Sequence, residues 1–78
     1  MEPLTLDKLA KSQTGRITHL IGGDEADQRR IEMGLSEGLE VRLLHEGPFG
    51  RDPIAVLVEG HVVAMRRAEA AKVEVELL

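Results

Sequence analysis

Apolar and polar residues alternate along much of this chain with a period close to two. Residues 16–21, R-I-T-H-L-I, set Ile17, His19 and Ile21 on one face and Arg16, Thr18 and Leu20 on the other. Residues 39–46 repeat the pattern, with Val41, Leu43 and His45 opposite Arg42, Leu44 and Glu46. Residues 54–59 set Ile54, Val56 and Val58 against Ala55, Leu57 and Glu59. A fourth segment covers residues 62–66, and a fifth covers 72–77, where Val73, Val75 and Leu77 alternate with Glu74 and Glu76. Each has the length and composition of a strand. Between them, Gly22-Gly23 breaks the first segment, and G-P-F-G-R-D-P (residues 47–53) reads as a loop dense in turn residues. Gly60-His61 suits a two-residue hairpin turn, because Gly accepts a positive φ.

Three stretches break the alternation. Thr5 is placed to cap a short helical turn over residues 6–10, with Leu6 and Leu9 on one face. Asp24 is placed to cap a helix running to about Met33, with Glu25 and Asp27 in its first turn, where the helix dipole favours negative charge. Its apolar stripe is imperfect: Ala26, Arg30 and Met33 share one face, while Ile31 and Leu35 share another. Gly34 stands where a left-handed residue ends such a helix. Residues 68–70 predict one further helical turn. About five short strands with one inserted helix and a short N-terminal helical turn make a mainly-β protein. A chain of this size hides its sheet most easily by closing into a small barrel, read as one domain over residues 1–78.

Composition narrows the function classes. Phe49 is the sole aromatic residue, so the core is built from branched aliphatics and Met. Without cysteine the chain has no disulfide and no thiolate metal site. No apolar run approaches the ~18 residues of a membrane span. M-E-P-L-T-L-D-K-L has neither a basic leader nor an apolar one, so a cytoplasmic location is expected, without direct membrane insertion. The net charge of −4 and the lack of stacking aromatics argue against nucleic acid.

Candidate chemistry is sparse. There is no Ser-His-Asp grouping and no glycine-rich phosphate loop, so an enzyme is not expected. His19, His45 and His61 form no H-x-x-x-H pair, and a surface or turn role is the simpler reading of each. His45 and His61, with glutamates beside them, are the basis for an alternative metal-binding or metal-sensing role. One phenylalanine cannot line a groove for proline-rich peptides. Phe49 folds back to cap the barrel on the simpler reading; the alternative is an exposed anchor for a partner, which the adjoining Arg51 keeps open. Exposed edge strands would also allow copies of the chain to pair.

The ordered pieces Arg29-x-x-Glu32-Met33-Gly34-Leu35, Gly38 with Val41, Gly50-x-Asp52-Pro53-Ile54, Val62-x-Ala64-x-Arg66-Arg67 and Glu69-Ala70 with Val73 and Val75 resemble the FeoA family of bacterial ferrous iron transport. The resemblance covers nearly the whole chain, from Leu4 onward. Arg30 departs from it, since such helices commonly carry an aliphatic residue there. The resemblance implies an SH3-like barrel and no catalysis. It implies an accessory that acts on FeoB, the membrane ferrous iron transporter with a cytoplasmic GTPase domain. It also implies a likeness to the C-terminal domain of iron-dependent repressors, hence room for weak Fe²⁺ association without a built-in cofactor. On this reading R-R-I-E-M-G-L-S-E-G (residues 29–38) is a joint between helix and strand. Met33 and Leu35 anchor it, Gly34 and Gly38 turn the backbone, and Gly60 serves the later hairpin. The expected partner-binding residues are Arg29, Glu32, Phe49 and Arg51.

Overall fold

The computed structural model describes residues 3–22 and 34–78, with the ring of Phe49 outside the description. Six strands form one antiparallel sheet: β1 (Leu4–Thr5), β2 (Thr14–Leu20), β3 (Glu40–Phe49), β4 (Asp52–Val58), β5 (His61–Met65) and β6 (Val73–Leu77). Their order is β1-β6-β2-β3-β4-β5. The sheet curls about one core, in which Leu6, Ile17, Leu43, Ile54, Val56 and Val73 are at most 1% exposed. A 3-10 turn (Leu6–Lys8) and a short helix (Arg67–Ala70) pack on each other and send Leu6 and Ala70 into that core. Among the described residues, no strand pairing joins β1 to β5. The result is the small barrel expected from the alternation, of the SH3-like kind that the resemblance implies, with one strand more than the five predicted, because Leu4 and Thr5 pair with Val75 and Glu74.

β4 obeys the alternation, burying Ile54, Val56 and Val58. β2 does not: a register shift between Ile17 and His19 ends it. The extra residue turns His19 to solvent and brings Leu20 partly onto the core, so His19 and Ile21 do not share the buried face of Ile17. A second shift, between Leu43 and His45, turns His45 outward in the same way. Leu77 is 52% exposed although Val73 and Val75 are buried, because β6 outruns the core there.

Residues 47–53 are not a loop. β3 continues to Phe49 and β4 begins at Asp52, leaving a two-residue turn at Gly50 and Arg51 with φ of 66° and 61°. Two positive φ values match the twist of a tight hairpin. The next turn is Glu59-Gly60, one residue earlier than expected, and His61 instead opens β5 opposite Val58. Thr5 makes no cap with its side chain; its hydroxyl donates to an Asp7 carboxylate oxygen. Gly34 and Gly38 have φ of 84° and 91°, and Gly60 has 88°. The Gly38 N–H donates to the Ile17 carbonyl at 2.8 Å, which lays the chain against β2 before β3 starts. Leu35 is buried. The helix expected over 24–33, with Arg29, Arg30, Glu32 and Met33, lies outside the described residues.

Candidate interaction surface

One end of the barrel is assembled around a single guanidinium. Arg67 opens the short helix, which has no cap of its own from Arg66. Its backbone N–H donates instead to Asp52 Oδ1, 3.0 Å away on the β3–β4 hairpin. The Arg67 side chain then reaches three groups. Nε donates to the Arg51 carbonyl at 2.7 Å, one Nη donates to the Asp7 carbonyl, and the other lies 3.3 Å from Glu46 Oε2. The planar fork of arginine suits this, since its donors diverge in fixed directions. Hairpin tip, 3-10 turn and short helix are thereby tied at one point.

Glu46 serves a second cation. Arg51 Nε lies 3.6 Å from the same oxygen, but its side chain is 77% exposed, against 25% for Arg67. One arginine is therefore structural and the other is presented to solvent from the hairpin turn. Between the hairpin and the 3-10 turn lies an open cleft of about 570 Å³, lined by Asp7, Lys8, Lys11, Glu46, Arg51 and Arg67 among others. Four cations face two carboxylates there, in a chain whose net charge is −4. Lys8 and Lys11 make no ion pair among the described residues. The cleft is a local basic surface on an acidic protein, able to attract an acidic segment of a partner.

The histidines do not converge. His19 Nδ1 lies 3.6 Å from Glu37 Oε1, both side chains being more than half exposed. His45 stands level with Ala55, whereas His61 stands level with Val58 and, through it, with Val41. Along β4 these levels are three residues apart, about 10 Å, and β4 itself stands between the two histidine strands. Among the described residues, no three His, Asp or Glu side chains come together to hold a metal ion.

The FeoA domain family matches this sequence over residues 4–77. The chain belongs to the FeoA family. Of solved structures, an iron uptake regulatory protein (FeoA) is similar at 26% identity and a TM-score of 0.86, with the whole of both chains covered. FeoA of Stenotrophomonas maltophilia, solved with zinc and described as an SH3 domain protein, is similar at 32% identity and a TM-score of 0.73, covering 94% of this chain and 89% of that one. A manganese-dependent transcriptional repressor solved with manganese shares the fold alone: 20% identity, TM-score 0.87, all of this chain but 38% of that one. No curated protein matches the chain.

As a FeoA domain, the chain carries only part of its sequence-read surface within the description. Arg51 stands at the hairpin tip beside the cleft, and the Phe49 backbone pairs with Asp52 at the end of β3. The reading of the Phe49 ring lies outside the described residues, as do Arg29 and Glu32. The sequence marked neither Lys8, Lys11, Glu46 nor Arg67 as part of an interaction surface; Glu46 entered only as the glutamate beside His45. Arg66-Arg67 was visible as part of the family pattern, but nothing local marks Arg67 as the member that turns inward.

Proposed function

We propose that the chain is a cytoplasmic accessory of bacterial ferrous iron uptake, acting by contact with the GTPase domain of a FeoB-type transporter and not by catalysis. The FeoA-domain match across residues 4–77 carries this reading. The hairpin tip and basic cleft are its docking surface. Arg51 supports that choice: it is the exposed residue of a tight turn at φ 61°, a conformation that favours glycine, on an arginine-anchored hairpin. The zinc in the Stenotrophomonas maltophilia relative belongs to that protein; the described donors of this chain do not form a resident metal site.

An amide chemical-shift titration with the FeoB cytoplasmic domain, with and without a GTP analogue, tests the reading. The amides of Lys8, Lys11 and Gly50 to Asp52 are expected to shift together. Arg51→Gly is expected to weaken binding about tenfold, in keeping with loss of an interface arginine. Its stability should stay within about 1 kcal/mol of the parent, since relief of the positive φ offsets the added freedom of glycine in the unfolded chain. Absence of any shift at several hundred micromolar partner, in either nucleotide state, would refute the proposal.

A further inference from the structure

β5 is the last strand of the sheet, and among the described residues nothing pairs with its far edge. The two-residue turn at Glu59-Gly60 makes Val58 and His61 the hydrogen-bonded pair that closes the hairpin. Alternation then aims the backbone groups of His61, Val63 and Met65 at β4, and those of Val62 and Ala64 away from it. The free edge therefore offers two N–H and two C=O groups.

Past His61, the side chains beside this edge are apolar on both faces. Val63 and Met65 lie over the core, in register with Val56 and Ile54. On the outer face Val62 and Ala64 are in register with Leu57 and Ala55, and Val62 is 66% exposed. β2, β3 and β6 put charge outside, at Arg16, Arg42 and Glu76. β5 carries no charged residue, proline or register shift, the features that keep edge strands from pairing.

We propose that β5 is a homodimerisation edge, pairing antiparallel with β5 of a second copy about a two-fold axis at Val63. This register sets Val62 opposite Ala64 of the second copy and Ala64 opposite its Val62. Each pair exchanges two hydrogen bonds, so the four outward groups of each copy are all satisfied. A slip by one residue would set outward groups against inward ones. Growth stops at the dimer, because the opposite end of each sheet is β1, only two residues long. Five residues of edge bury less than the ~1,600 Å² of a standard interface, so the dimer is weak, with a dissociation constant of about 0.1–1 mM.

Sedimentation of the full chain between about 20 µM and 1 mM, beside amide spectra over the same range, tests this. A monomer–dimer equilibrium is expected, with the Val62 and Ala64 amides moving with concentration and Val63 nearly still. Val62→Lys should weaken self-association at least tenfold. A mixture of Val62→Lys with Ala64→Glu should restore dimers, because the two-fold register sets the new lysine opposite the new glutamate. A chain that stays monomeric at 1 mM, forms open-ended oligomers, or associates with the Val62 and Ala64 amides unmoved overturns the proposal. So does a mixture that shows no rescue.

Discussion

Gly34 and Gly47 lack a side chain for opposite reasons. At Gly34, φ is +84° and a Cβ would meet nothing within 4 Å, so the constraint is the backbone alone. Gly47 has ordinary φ, but its Cβ would stand 2.6 Å from the Asp52 carbonyl oxygen and 2.7 Å from that of Pro53. Those are backbone atoms of the opposing strand, and no rotamer change relieves the overlap. Gly34→Ala is expected to cost about 1 kcal/mol. Gly47→Ala should cost about 1–3 kcal/mol and loosen the hairpin. Urea denaturation decides it: a Gly47→Ala midpoint equal to that of the parent would contradict the close strand approach. Gly34 was legible in the sequence because a glycine after a capped, helix-like run reads locally as a left-handed residue. Gly47 read as a turn glycine, since its neighbour across the strands depends on a register that local sequence does not specify.

At the scale of elements, the alternation located five of the six strands and missed what interrupts them. The register shifts after Ile17 and Leu43 move His19 and His45 to solvent. A bulge costs no distinctive residue, so the period-two pattern runs straight through it on paper. The converse occurred at residues 47–53, where glycine and proline suggested a loop but the strands run on to a two-residue turn. What keeps hairpin, 3-10 turn and short helix in place is Arg67, whose partner Asp7 is 60 positions away in the chain. Arg67→Ala would leave the Asp7 and Arg51 carbonyls and Glu46 short of a donor. The expected loss is about 2–3 kcal/mol, the scale of hydrogen bonds to a charged group that is largely sheltered. Lysine has no fork and should recover only part of it. Thermal and urea unfolding of the two variants measure this, and a fully stable Arg67→Lys would show that charge alone suffices.

For the whole molecule, the family and the barrel could be read from the sequence, whereas the basic cleft could not, because its charges come from segments that meet only after the sheet curls. The same curling decides which of two chemically similar apolar sets holds the fold. Leu43 is fully buried between strands, while Val62 is 66% exposed on the outer face of the β4–β5 hairpin. A chain of this length is stable by about 4–12 kcal/mol. Leu43→Ala removes buried methyl groups and leaves a cavity, at about 2–5 kcal/mol, so the variant should lose a large share of its stability or unfold outright. Val62→Lys replaces a branched apolar side chain with a charged one, yet should change monomer stability by no more than about 0.5 kcal/mol. Denaturant curves taken at ~10 µM, well below the concentrations at which copies would pair, compare the two directly. If Val62→Lys proved as damaging as Leu43→Ala, the outer apolar face would belong to the monomer's own core, and a free β5 edge could not be what selects its residues.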